Sequence, residues 1–341
     1  MMKKILTVLI PVYNTEKYIK RCLDSLIDES IIDNIEILIV SDGSKDNSIL
    51  IAKDYEKKYS NSIKIIEKEN GGHGSTINKG LEIATGKYFR VLDSDDWFNT
   101  SDFVKLVNYL KNDDSDLVVT NYSQEHVYKG ETIYLEYKNL VDNKIYDFDK
   151  IDLSILNGEY FVMATSTYKT ELLRKAKLHL FEKTFYVDMQ FNVIGFSLVK
   201  TFKYYDLDIY RYFIGRKDQS NNFASLVKNQ ENHEKVMKCL VDYYCENIDN
   251  FSDNRKKYYS LIIYYMLYTH YSIYCLYDPN HSRAYNKVIN FDKYLKNKSL
   301  DLYNRSNISF IKANRKTNFV FVKINGKFFN KLISLANLFR R

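Results

Sequence analysis

The sequence predicts an α/β fold: a mostly parallel β-sheet covered on both faces by helices, followed by a chiefly helical C-terminal region. Three observations lead there. Over the first hundred residues, short apolar runs alternate with segments whose apolar residues recur at helical spacing. The runs read as strands buried on both faces. Three of them end in turns rich in glycine or acid, "DGSKDNS" (42–48), "NGGHGS" (70–75) and "DSDD" (93–96). Ligands in open α/β sheets bind beyond the carboxyl ends of strands, so these turns should converge on one crevice.

In order, "ILTVLIPV" (5–12) is the first strand. The start, "MMKKILTVLIPVYN", imitates a leader with two lysines and an apolar run, but the run is short and lacks a small-residue cleavage site. Thr15 is placed to cap a helix that turns Ile19, Cys22, Leu23 and Leu26 to one side. "IEILIVS" (35–41) is a second strand, and a helix carrying Ile51, Tyr55 and Tyr59 follows. "IKIIE" (63–67) is a short strand, and the glycine-rich turn leads into a helix near 76–84. "KYFRVLD" (87–93) runs into the acidic cluster, and Phe103, Leu106, Val107 and Leu110 mark the next helix. "DLVVT" (116–120) is a strand, 121–150 reads as inserted strands and turns, and the less regular chain to about 215 stays with the same domain. From about 226 the pattern is helical, which suggests domains at 1–218 and 219–341.

The bulk numbers narrow the class. With 341 residues, 45% hydrophobic and 27% charged, the chain has a globular composition. The net charge is +7, yet residues 301–341 alone sum to +8 and the rest to −1, which disfavours a general nucleic-acid surface. Cys22, Cys239, Cys245 and Cys275 show no disulfide or zinc spacing, so a reducing cytoplasm is expected. "YYSLIIYYMLYTHYSIYCLY" (258–277) carries His270 and many tyrosines and reads as a buried helix, not a membrane span.

Asp93, Asp95 and Asp96 lie within four positions beside Trp97, the only tryptophan. Carboxylates this close repel one another and lose solvation, a cost that a bound cation repays. Hard oxygen donors with no cysteine nearby suit magnesium or manganese, shared with phosphate oxygens. Gly71, Gly72 and Gly74 would let the backbone approach a ligand, with a helix N-terminus behind them to favour an anion. Together these features suggest a nucleoside diphosphate. Alone, Asp42 reads as a turn residue, Asp96 equally as a helix cap, and His73 as a loop side chain.

"TVLIPVYNTEKYIKRCLDSL", "IEILIVSDGSKDNS" and "ENGGHGSTINKGLEIATGKYFRVLDSDDW", in this order, resemble the family 2 glycosyltransferases, densely over 5–110 and thinly to about 215. The resemblance implies a GT-A fold, a nucleotide-sugar donor (commonly a UDP-sugar), a divalent cation (Mn2+ or Mg2+) and inversion at the anomeric carbon. It puts Pro11, Tyr13 and Asn14 against the nucleotide, Asp42 on the base, and Gly72, Asn78 and Ser94 among the donor contacts. Asp93 and Asp95 fall on the DxD that holds ribose and metal. Two positions depart: Ser41 stands for the first acid of the usual Asp-Asp-Gly-Ser, and Ile77 for an arginine before Asn78.

In "FEKTFYVDMQFNVIGF" (181–196), Asp188 stands where the family has the second acid of a Glu-Asp pair and implies the base; the first is Val187. "IYRYFIGRKDQSNN" resembles the strand and loop that follow, where Arg216 or Lys217 would meet the departing diphosphate or form an exposed basic loop. The expectation is a glycosyltransferase with a saccharide or lipid-linked saccharide acceptor, in surface polysaccharide or glycolipid synthesis. A sugar nucleotidyltransferase and a non-catalytic nucleotide-sugar-binding scaffold share the crevice chemistry. In the tail (325–341), Phe328, Leu332, Leu335 and Phe339 would form one helical face flanked by Lys327, Lys331 and Arg340. That pattern suits either packing on its own domain or an anionic membrane surface, which would place the protein on the inner face of the cell membrane.

Overall fold

Seven successive buried residues, Leu6–Val12, form the first strand, β1, in a computed structural model that describes residues 4–215 and 223–323. The chain divides into two units, Met1–Lys217 and Asp218–Arg341. In the first, β1 is followed by α1 (Ile19–Asp24), β2 (Ile35–Asp42), α2 (Ser48–Lys58), β3 (Ile63–Lys68), α3 (His73–Ile83), β4 (Tyr88–Val91), β5 (Trp97–Phe98) and α4 (Thr100–Leu110). Then come β6 (Leu117–His126), β7 (Glu131–Leu135), β8 (Lys144–Asp147), β9 (Ser166–Lys169), α5 (Thr170–Lys175), α6 (Asp188–Ile194) and β10 (Thr201–Phe213).

One sheet runs β3-β2-β1-β4-β9-β6-β10-β5, with β7 paired to β6 and β8 to β10. Its first four strands are parallel, as the alternating pattern predicts. β6 and β10 are also parallel, but β9 lies between β4 and β6 antiparallel to both, so the sheet as a whole is mixed. The segment expected to be irregular thus supplies the strand that closes the sheet.

β1 is apolar throughout because both faces are covered. Leu6, Val8, Ile10 and Val12 join one core with Ile19, Cys22 and Leu23 of α1 and Phe103, Leu106, Val107 and Leu110 of α4. On the other face α3 comes so near that a Cβ on Gly80 would lie 2.3 Å from Leu9 Cδ1. Each fully buried leucine or isoleucine contributes about 1.5–3 kcal/mol relative to exposure. Thr15 is not the cap of α1, which is Tyr18 without a side-chain cap bond; the Thr15 carbonyl accepts the Tyr18 and Ile19 amides, both at 2.9 Å, and its hydroxyl has no partner among the described residues.

The second unit is helical: α7 (Phe223–Lys228), α8 (Gln230–Asn247), α9 (Asp253–Ser272), a π-helical turn (Ile273–Tyr277), α10 (His281–Lys298), α11 (Leu300–Arg305), α12 (Ser309–Lys316) and α13 (Val320–Lys323). Val236, Leu240 and Tyr244 of α8, Ile262, Ile263 and Met266 of α9, and Val288, Phe291 and Leu295 of α10 are buried. His233 and His270 meet between α8 and α9 with Nδ1 atoms 3.1 Å apart and rings nearly parallel. Among the described residues, no helix is long and apolar enough to cross a membrane.

Candidate active site

β1, β2 and β4 are parallel and in register, so the turns that follow them meet at one edge of the sheet. Pro11 is buried in β1 opposite Val40. Beyond the strand Tyr13 is 51% exposed, and Asn14 takes a left-handed φ of 54°. The Asn14 side chain accepts the Lys45 amide (2.8 Å) and its own amide donates to Ser44 Oγ (3.2 Å). These bonds tie the turn after β1 to the turn after β2.

Asp42, at the end of β2, is buried and fully engaged. Its Oδ1 accepts Lys68 Nζ (2.9 Å) and the Gly71 amide (2.8 Å), and its Oδ2 accepts the Gly72 amide (2.8 Å). Burial pushes the carboxyl up, but the Gly71 amide, Lys68 and the Gly72 amide outweigh it and hold it below the ordinary aspartate value. The glycines answer a tighter demand than ligand approach: they make room for the chain's own 181–184 segment. A Cβ on Gly72 (φ +82°) would lie 3.0 Å from the Lys183 nitrogen, and one on Gly74 2.3 Å from the Phe181 carbonyl oxygen. The Lys183 amide donates to the Gly71 carbonyl at 2.6 Å.

The helix expected near 76–84 begins instead at His73, whose Nε2 lies 2.8 Å from Asp93 Oδ1. Burial alone would lower this imidazole; Asp93, by charge and hydrogen bond, with Asp188 and Asp95, leaves it raised. Asp96 is not a helix cap, for α4 starts at Thr100 behind Asn99. It is 1% exposed and accepts the Tyr210 hydroxyl (2.6 Å) and the Phe213 amide (2.8 Å). Ser94 is buried beside it. Arg21 donates from Nη2 to the Asp95 carbonyl (3.0 Å) and lies 3.6 Å over the Trp97 ring.

Asp188 begins α6, half-buried, near enough to feel both His73 and Asp93. Burial raises its carboxyl above the ordinary value; His73 opposes this and the Asp93 charge adds to it. Asn78 is committed on both sides to Leu180, donating to its carbonyl (2.9 Å) and accepting its amide (2.8 Å). It thereby ties α3 to the chain leading to Asp188. Arg216 and Lys217 lie outside the described residues, as does the tail at 325–341.

Sequence reasoning missed Tyr210, Arg21 and Lys68, and gave His73 no partner. Tyr210 is one of 31 tyrosines in a strand remote in sequence, and nothing marked it. Lys68, by contrast, sits two positions before the glycine-rich turn, at the end of the strand paired with the one that carries Asp42. Among the described residues, no three His, Cys, Asp or Glu side chains are grouped to hold a metal ion by themselves. Asp93 and Asp95 present hard carboxylate oxygens at a strand end, a set suited to a cation that draws its remaining ligands from phosphates and water.

Residues 7–174 match the family described as Glycosyl transferase family 2. The poly(ribitol-phosphate) beta-glucosyltransferase of Bacillus spizizenii is 37% identical over 117 residues, 33% of this chain and 18% of that protein. The chain spans 12% to 36% of the length of three other strongly matching curated relatives. The crystal structure of S. aureus TarS 1-349 in complex with UDP-GlcNAc superposes with TM-score 0.66 at 17% identity, covering 95% of this chain and 91% of that one. The mannosyltransferase PcManGT from Pyrobaculum calidifontis, in complex with GDP-Man and Mn2+, superposes with TM-score 0.50 at 12% identity, over 97% and 89% of the two chains. These likenesses establish the GT-A fold. Residues 7–174, just under half of the chain, are a family 2 glycosyl transferase domain.

Proposed function

We propose that this chain is an inverting, metal-dependent glycosyltransferase that moves a sugar from a nucleoside-diphosphate sugar, a UDP-sugar by preference, to an acceptor hydroxyl. The observation that carries the reading is the convergence of Asp42, the Asp93–Asp96 turn and Asp188, far apart in sequence, at one edge of the sheet. The UDP-GlcNAc held by the TarS structure supports a UDP-sugar donor, and the Mn2+ in the mannosyltransferase supports a divalent cation. The name of the Bacillus spizizenii relative supports a cell-surface polymer as acceptor.

In this reading the turns after β1 and β2, with Asp42, hold the nucleotide, and Asp93 and Asp95 face its ribose and diphosphate. A Mn2+ or Mg2+ ion held by those carboxylates would neutralise charge on the departing diphosphate. The acceptor oxygen attacks the anomeric carbon from the face opposite the diphosphate. The carbon–oxygen bond to the β-phosphate breaks, its electron pair leaves with the diphosphate, and the acceptor proton passes to Asp188. The raised carboxyl of Asp188 suits it to hold that proton. Arg216 remains a candidate contact for the leaving diphosphate, and 325–341 a candidate contact for an anionic membrane surface.

The test is a panel of nucleotide-sugars scored for thermal stabilisation and slow donor hydrolysis with Mn2+, Mg2+ or EDTA. One UDP-sugar should stabilise and be hydrolysed only with metal, and Asp95→Ala should lose both effects. Undiminished hydrolysis in EDTA, or UDP binding with no turnover on any donor and acceptor, overturns the reading.

A further inference from the structure

Asp96 would be the natural third ligand in a cluster of three acids. Its surroundings give it other work. Both carboxylate oxygens are occupied by donors from β10, the Tyr210 hydroxyl at 2.6 Å and the Phe213 amide at 2.8 Å, and the side chain is 1% exposed. A hydroxyl has one proton to donate. Tyr210 gives it to Asp96, since Asp93 Oδ2 is farther away at 3.5 Å, and the same oxygen accepts the Asp93 amide at 3.3 Å. One tyrosine thus grips both ends of the turn, which is itself closed by the Asp96 amide donating to the Asp93 carbonyl at 3.0 Å.

The opposite side of the turn is held from α1. Arg21 donates to the Asp95 carbonyl and lies over the Trp97 ring, 3.6 Å from its centroid, with Phe213 5.1 Å away. Phe213 also offers the amide that binds Asp96, so the two grips share a residue. A guanidinium stacked on an indole contributes both packing and cation–π attraction, which lysine does not reproduce.

We propose that Tyr210 and Arg21, acting through Asp96 and the Asp95 carbonyl, are positioning residues that hold Asp93 and Asp95 in place for the cation, and that Asp96 is not itself a ligand. This rests on the metal-dependent reading above. Fixing the carboxylates in advance removes an ordering cost that each binding event would otherwise carry.

Trp97 is the only tryptophan in the chain and lies in the clamped turn, so its emission reports on this place alone. Two measurements are made on the full chain: quenching of that emission by Mn2+ with UDP, and hydrogen exchange across 93–98 without ligand. Tyr210→Phe should melt cooperatively, exchange faster at 93–98, and bind Mn2+ with UDP about tenfold more weakly, as loss of a buried hydrogen bond implies. Arg21→Lys should show the same pattern. Asp96→Asn keeps one acceptor, for the Phe213 amide, and can donate its own N–H to the Tyr210 oxygen, whose proton then turns to Asp93 Oδ2; it should stay within about threefold of wild type, whereas Asp96→Ala should weaken binding about tenfold or more.

If Tyr210→Phe and Arg21→Lys bind Mn2+ with UDP as wild type does, the clamp is overturned. If Asp96→Asn loses binding as fully as Asp95→Ala, Asp96 is a ligand and the assignment is wrong. If wild type shows no response to Mn2+ with UDP while the variants still loosen 93–98, the metal-dependent reading fails and the positioning role for the cation falls with it. The clamp on the turn then stands as structure only.

Discussion

Asp188 shows how one carboxylate can acquire a role through its neighbours. Burial lifts its carboxyl above the ordinary range, His73 pulls the other way, and Asp93 pushes up again. A base must be deprotonated to act, so activity should fall as pH drops through a value above that of an ordinary aspartate, about 3.9. In a pH profile of kcat/KM for transfer, this acid limb should vanish in Asp188→Asn, which should keep its fold and donor affinity and lose about 10²–10⁴-fold in rate. Wild-type turnover with an unchanged limb would remove Asp188 from the chemistry, and a large loss of UDP affinity would make it a donor contact instead. The residue type and approximate place of Asp188 were legible in the sequence through the resemblance. Its raised carboxyl was not, because it comes first from burial, and the Asp93 charge that adds to it sits on the turn after β4.

At the scale of elements, the glycine-rich turn carries a packing demand that its composition does not reveal. Asp42 gathers the Gly71 and Gly72 amides, and the turn then packs against 181–184, the segment that leads to Asp188. Gly74 is the tightest point, since a methyl group there must displace a main-chain oxygen at 2.3 Å. Gly74→Ala should cost about 1–3 kcal/mol, the usual penalty for overpacking. It should also speed hydrogen exchange across 181–188 more than elsewhere. Urea unfolding and exchange mass spectrometry check the two halves; a variant as stable as wild type with unaltered exchange would show that the segments do not depend on this contact.

For the whole molecule, the helical unit makes stability depend on pH. In the helical unit His233 and His270 are buried as a neutral pair; burial pushes His233 down to about 4 and His270 well below its ordinary value, with His233's charge adding to the latter. A histidine whose folded value lies below its unfolded one, about 6.5, takes up protons more readily when unfolded. Stability is therefore complete above pH ~6.5 and is lost as pH falls toward 4, by about 3 kcal/mol from His233 alone. His233→Gln should flatten that part of a melting-temperature profile between pH 4 and 7. A second whole-chain measurement concerns the basic excess in 301–341. Deleting 325–341 should abolish sedimentation with anionic vesicles while leaving reaction on a soluble acceptor intact, because each basic residue near such a surface contributes about 1 kcal/mol. Full-length protein that never sediments with vesicles would exclude the membrane role.

The sequence by itself determined the alternation of strand and helix, the helical second half, and the meeting of the turns after β2, β3 and β4. Each follows from local periodicity and from the rule that parallel strands place their carboxyl ends together. It also displayed the acids of the site, since three carboxylates in four positions are conspicuous in any chain. Only the tertiary structure decided that β9, four residues long, enters antiparallel between β4 and β6, since so short a segment carries no usable period. It alone decided the division of labour within the acidic cluster. Asp93, Asp95 and Asp96 look equivalent in sequence, and what separates them is a hydroxyl on Tyr210, 114 residues away from Asp96, and a stacked guanidinium from α1. Hydrogen bonds and burial depend on distance in space, and spacing along the chain records that distance only within a single element.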